Sequence, residues 1–280
     1  GWLNPFVFAA RATPAVQFVR ESPHDRPPET RLLMLPAPLS ATTTALCHVR
    51  TGFWGVLPDF VARGGTAYIS LSADSAIPDM DAVAGCRIID RAAATLHRTL
   101  RFIEPWGTLR PGDSLELPDA TATLGLRGAR LRVSDSRIIA VDDDGHPALV
   151  VAQRGSGFVV TCSEPIELLL ASVADAHRRY PDWWRVYGGL ADLAEAREEV
   201  WVEHPDVVSG GLRGPVGGLA TLTNHGLDDV DAFLHLPDGV SAVLAIAAGQ
   251  QPLVDRRVHL RATEGMIVMW TNSEHIEDGT

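Results

Sequence analysis

Hydrophobic and polar positions change period twice along the chain. Phe6, Val7, Ala9 and Ala10 make an apolar helical patch behind the capping pair Asn4-Pro5, and Ala15 to Val19 alternates like a strand. Arg31-Leu32-Leu33-Met34-Leu35-Pro36 is a continuous apolar run, which predicts a strand buried on both faces. Phe53, Leu57, Phe60 and Val61 then share one helical face, closed by Gly64-Gly65; Pro58 inside that pattern predicts a kink or a restart. Thr66 to Leu71 is the next buried strand. This order of elements predicts an α/β layer with a parallel sheet.

The period changes near Glu104. From Pro105 to Val151 short alternating runs are separated by the turn clusters Arg110-Pro111-Gly112-Asp113, Pro118-Asp119 and Asp142-Asp143-Asp144-Gly145, as in a small antiparallel unit. Gly157 to Cys162 reads as another buried strand. Asp182 to Glu198 reads as a helix with Trp184, Tyr187, Leu190, Leu193 and Ala194 on one face. From Val200 onward helical periodicity gives way to short strands at sandwich-like spacing, with turns expected at Gly210-Gly211, Pro237-Asp238-Gly239 and Glu264-Gly265. The expected organisation is an α/β domain over 1–104 and 152–198, an antiparallel insert over 105–151, and an all-β sandwich over 199–280.

Composition narrows the chemistry. The 280 residues are 46% hydrophobic and 21% charged, the balance of a folded chain, with no apolar run long enough for a membrane helix. The N-terminus has neither the basic region nor the cleavage site of a signal peptide. All 24 basic residues are Arg, so Schiff-base, P-loop and pyridoxal-phosphate chemistry lack their lysine. A net charge of −11 opposes nonspecific nucleic-acid binding. Three cysteines, Cys47, Cys86 and Cys162, fit a reducing compartment, so a cytoplasmic location is expected. Ten scattered histidines, with neither CxxC nor HExxH, predict no metal site and no cofactor.

Candidate chemistry is sparse. Cys162 ends a predicted strand, where a nucleophile elbow would sit, but lacks flanking glycines; Cys47 and His48 are adjacent and do not face each other on one element. The pairs Glu198/Glu199 and Glu274/Glu277 lie at a helix end and in a polar tail and read as solvated charges. The loop from Ser70 to Pro78 leaves the carboxyl end of a predicted strand, where open α/β sheets place ligands; Ser72 and Asp74 suit sugar hydroxyls there. Trp54 and Trp106 border loops and are candidates for stacking on sugar rings, whereas Trp183, Trp184 and Trp201 fit core positions.

Taken together, the segment Arg31 to Leu39, the helix ending Phe60-Val61-Ala62-Arg63-Gly64-Gly65-Thr66 and the strand Ala67-Tyr68-Ile69-Ser70 resemble the class I amidotransferase-like, flavodoxin-like domain that follows the catalytic barrel in family 42 β-galactosidases. Leu219-Ala220-Thr221-Leu222-Thr223-Asn224-His225, followed by Phe233-Leu234-His235-Leu236-Pro237, resembles a stretch of their C-terminal β-sandwich. The resemblance implies an accessory, oligomerising region without catalytic residues of its own. Its implied partners are a (β/α)8 barrel in the same enzyme or a separate chain, further copies of itself and a carbohydrate substrate, with no nucleic acid and no membrane. The barrel and its paired glutamates have no counterpart in these 280 residues, so the chain is expected to be part of a larger or split glycosidase. A pair of independent carbohydrate-binding modules and a thiol hydrolase using Cys162 or Cys47 are the alternatives.

Overall fold

A computed structural model describes residues 8–9, 11–12, 29–37, 53–73, 75, 77, 79–92, 98–119, 127–245 and 251–272; at 53, 54, 241–245, 251, 252 and 254 this covers the backbone only. Two compact units result, the first made of Gly1–Ala9 and Val16–Ala196, the second of Ala10–Ala15 and Arg197–Thr280. The predicted N-terminal helix and the strand at Ala15 to Val19 fall largely outside the described residues. Strands predominate, and none of the described helices is long and apolar enough to cross a membrane.

The first unit is built on a mixed seven-stranded sheet curled into a half-barrel, in the order β1-β2-β9-β8-β7-β4-β5. Three strands are parallel: β1 (Leu32–Leu35), β2 (Thr66–Ser70) and β9 (Gly157–Cys162). All five residues of β2 are buried, as its unbroken run of non-charged residues requires. Beyond β9 the sheet turns antiparallel through β8 (Pro147–Arg154), β7 (Arg137–Val141), β4 (Thr99–Phe102) and β5 (Ser114–Glu116). The parallel expectation therefore holds for three strands only. The antiparallel strands that follow hydrogen-bond into the same sheet, because the hairpin β8–β9 joins them directly to its parallel part. A separate ribbon pairs β3 (Cys86–Arg91) with β6 (Ala129–Val133), and its inward Cys86, Ile88, Ala129 and Leu131 join the core of the parallel strands.

Helix α1 (Phe53–Ala62) runs through Pro58 and packs Leu57, Phe60 and Val61 on Leu33, Leu35, Ile69 and Val159. It ends where Gly64 takes φ +102° and the Gly64 and Gly65 amides bond Val61 O and Phe60 O. Helices α2 (Met80–Ala84), α3 (Ile166–Ala171), α4 (Ala176–Arg179) and α5 (Trp184–Leu193) follow, the last two joined by a 3-10 turn at Pro181–Trp183. The predicted helix over 182–198 stops early, because Glu195 adopts φ +49° directly after the α5 cap.

Gly189 in α5 creates a flat spot for Trp106. The indole is 4% exposed, its Nε1–H donates to Val186 O at 2.9 Å, and a Cβ on Gly189 would lie 2.2 Å from that nitrogen. Helix propensity favours Ala over Gly by about 1 kcal/mol. Packing opposes it here, so Gly189→Ala is expected to lose about 1–3 kcal/mol in urea unfolding. A gain in stability would show that the ring is not seated on the glycine.

The second unit has two antiparallel sheets. One runs β11 (Val207–Gly214), β12 (Gly217–Asn224), β17 (Gly265–Asn272), β14 (Val240–Ala245), β15 (Gln251–Pro252). The other runs β10 (Trp201–Val202), β13 (Val230–His235), β16 (Arg257–Leu260). Alternate residues from both, including Val202, Leu222, Leu234, Leu260, Val268 and Trp270, line one core. Gly210-Gly211, expected as a turn, lies inside β11 opposite Thr221 and Ala220; the turn falls at Pro215-Val216 instead. Glycine has no side chain to mark a strand's alternation, so the pairing was invisible locally. Trp201 is half-buried on the open face of the smaller sheet, stacked on His235 at 3.7 Å with the Arg197 guanidinium 3.9 Å from its ring centroid.

Candidate functional site

The carboxyl ends of the parallel strands are the place where an α/β sheet offers a ligand site. β2 and β9 end in register, Ser70 beside Cys162, and the chain continues into Leu71-Ser72 and Ser163-Glu164. Polar groups converge there below the surface. Glu167, on the first turn of α3, is 2% exposed; it accepts hydrogen bonds from Ser70 Oγ at 2.5 Å and Tyr187 OH at 3.0 Å. Ser70 Oγ in turn accepts from the Ala37 amide at 2.8 Å, which ties the end of β1 to the same carboxylate. Burial raises the Glu167 carboxyl above its ordinary range, against the opposing pull of the hydroxyls. Tyr68 and Tyr187 meet edge to face at 6.4 Å, and burial beside Glu167 raises both phenols well above their usual value.

A second carboxylate lies one turn back. Glu164 and Arg98 form a buried ion pair, Arg98 Nη1 lying 2.8 and 3.0 Å from the two oxygens, with side chains 3% and 9% exposed. Burial lifts Glu164 to about 7 even though Arg98 pulls it down. The carboxylate occupies the space a side chain would need at Gly128, where a Cβ would come within 2.2 Å of Oε1. Among the described residues Arg98 Nη2, which is buried, has no hydrogen-bond partner.

Neither of the two described thiols offers a nucleophile. Cys162 is completely buried, and burial raises its pKa well above the ordinary thiol value; Cys86 is pushed up to about 12 for the same reason. Cys47 lies outside the described residues. Of the residues singled out for sugar, Ser72 is 3% exposed and closes a turn on itself, its amide donating to Ser75 Oγ at 3.1 Å and its hydroxyl 3.3 Å from the same oxygen. Asp74 lies outside the described residues, and Trp54 stands in the first turn of α1 with its side chain outside them. Trp106 is packed on α5 with its indole 4% exposed.

The residues that do converge, Arg98, Glu164, Glu167, Tyr68 and Tyr187, escaped the reading of the sequence. One signal was present: Glu167 interrupts the apolar run Ile166-Glu167-Leu168-Leu169-Leu170, where a solvated carboxylate is out of place. Among the described residues no three His, Cys, Asp or Glu side chains are placed to hold a metal.

No family model and no curated protein matches the chain. Solved structures do. A GH42 β-galactosidase from G. stearothermophilus superposes with a TM-score of 0.56 at 16% identity, over 96% of this chain and 35% of that one. The cold-adapted β-galactosidase from Rahnella sp. R3 gives 0.52 at 16% identity, over 85% and 32%. The likeness is one of fold, and the chain spans about a third of the length of these structures.

Proposed function

We propose that this chain is the accessory region of a glycoside hydrolase acting on β-linked sugars, working in the cytoplasm and non-catalytic by itself. In this reading the first unit corresponds to a flavodoxin-like, amidotransferase-like domain with an antiparallel extension, and the second to a β-sandwich. The observation that carries it is the closed state of the polar cluster. Each of the two carboxylates at the strand ends is held by internal donors, and the thiol beside them is buried, which raises its pKa. An α/β sheet whose ligand edge is filled by its own side chains supports a scaffold better than an enzyme. The fold likeness to about a third of two β-galactosidase chains supports the glycosidase context.

A catalytic (β/α)8 barrel and further copies of the chain are the proposed partners. Trp54 and Asp74 stay in the proposal as sugar contacts; Ser72 and Trp106 serve packing. The purified chain is expected to release no p-nitrophenol from p-nitrophenyl β-D-galactoside above the buffer rate. Enzyme-like turnover, lost in Glu164→Gln or Glu167→Gln, would overturn the non-catalytic reading.

A further inference from the structure

Strand β11 is an unguarded edge. It ends the five-stranded sheet, pairs with β12 through eight uninterrupted residues, and among the described residues its outer side receives no backbone partner beyond Val207 N–H to His204 O. Natural edge strands are protected by shortness, charge, proline or a bulge. This one is eight residues long with no proline and no bulge, and its one charge, Arg213, is paired with Glu199 at 3.1 Å. Instead it presents Leu212, 75% exposed, and Val208, 49% exposed, on the face that continues through Ile267 and Met269.

We propose that β11 pairs antiparallel with β11 of a second copy across a twofold axis at Gly210, merging two five-stranded sheets into one. Successive residues of a strand direct their amides to opposite sides, so two copies of one edge can pair only through residues of the same parity. With Gly210 opposite its own copy, Val208 faces the second copy's Leu212, and Leu212 faces its Val208. The two most exposed apolar residues of the edge thereby cover each other, twice. Ser209 meets Gly211, so the opposite face gains no bulk. Arg213 faces Val207, and the two arginines lie at opposite ends, roughly 20 Å apart. In a chain of net charge −11 strand β11 itself carries no carboxylate, and Glu199 beside it is paired with Arg213, so two copies can meet here without unpaired like charges facing each other. A foreign strand would need its own complement to Val208 and Leu212; a second copy brings it by symmetry.

The inference rests on the assembly part of the function proposed above. Sedimentation equilibrium of the full chain at roughly 100 µM is expected to show a dimer, with Leu212→Lys and Val208→Lys each raising Kd at least about tenfold. Both side chains are exposed, so unchanged circular dichroism accompanies the loss. In a Cys47→Ala background a short bismaleimide is expected to link Gly210→Cys into a covalent dimer and to leave the chain without that added cysteine unlinked. A monomeric parent chain, or a dimer that survives both lysine variants, overturns the pairing. Neither result bears on the glycoside assay, and turnover in that assay leaves the edge pairing standing.

Discussion

Arg98→Ala is expected to destabilise the first unit by about 3–5 kcal/mol at pH 8, because it leaves Glu164 buried without its counter-ion. The side chains are 9% and 3% exposed, so solvent screens the pair little. The cost should depend on pH. Glu164 is raised from 4.5 to about 7 in the folded chain, so the stability linked to its proton is fully present below pH 4.5 and is lost as pH rises through 7. Removing Arg98 takes away the influence that lowers this carboxyl and moves its titration higher still. The variant then loses more stability than the parent chain above pH 7, and near pH 5, where Glu164 is protonated in both, the gap narrows to lost packing. Urea unfolding at pH 5 and pH 8 measures both quantities. Arg98→Met combined with Glu164→Leu removes both charges and is expected to recover most of the loss, since apolar pairs of similar volume often match a buried ion pair. A single variant within about 0.5 kcal/mol of the parent at pH 8 would contradict the burial of the pair.

The contrast between Glu164 and the strands around it shows what the sequence could and could not disclose. β1, β2 and β9 are runs without a charged residue and apolar at their centres, and such runs announce themselves without reference to anything distant. The face of α1 was equally legible in Phe53, Leu57, Phe60 and Val61. The candidate site was not, because its chemistry is made by separations of 66 residues between Arg98 and Glu164 and 97 between Ser70 and Glu167. The same holds for the sheet. β8 runs across the expected boundary at 151 between insert and α/β domain, because nothing local says that it continues the parallel layer. The burial of Trp106 was hidden for a related reason. It borders turns in sequence, but Gly189, 83 positions later, supplies the flat surface that buries it. The run Asp142-Asp143-Asp144-Gly145 was readable as a hairpin tip, and there Asp142 accepts from the His146 amide at 2.7 Å while Gly145 takes φ +83°.

Asn224→Asp is expected to unfold the second unit at neutral pH while changing one atom. Asn224 is 1% exposed at the end of β12. Its Nδ2 donates to Asp228 O at 2.9 Å, Arg261 O at 3.0 Å and, more weakly, Leu260 O at 3.4 Å, and its Oδ1 accepts from the Gly226 amide at 2.8 Å. One amide thus fastens the loop after β12 to the loop after β16. An aspartate keeps the acceptor but turns a second oxygen, charged, toward carbonyl oxygens that need a donor. The buried carbonyls lose their partners at about 1–3 kcal/mol each, and the charge has no counter-ion, so a loss of about 3–5 kcal/mol follows. Protonation restores one donor. The variant's carboxyl is therefore raised in the folded state, and its stability returns as pH falls below the ordinary carboxylate range and is lost as pH rises. Asn224→Ala lacks the charge and is expected to lose less, with no such pH dependence. Fluorescence of Trp270, 3% exposed in the same core, reports the transition. An aspartate variant as stable as the parent chain at pH 8 would mean that the loops are held together by something other than this side chain. The resemblance noted at Leu219 to His225 then acquires a physical reason. Asn224 gives its two amide hydrogens to the nearer carbonyls, Asp228 O and Arg261 O, and accepts from the Gly226 amide, a set that only a carboxamide satisfies together.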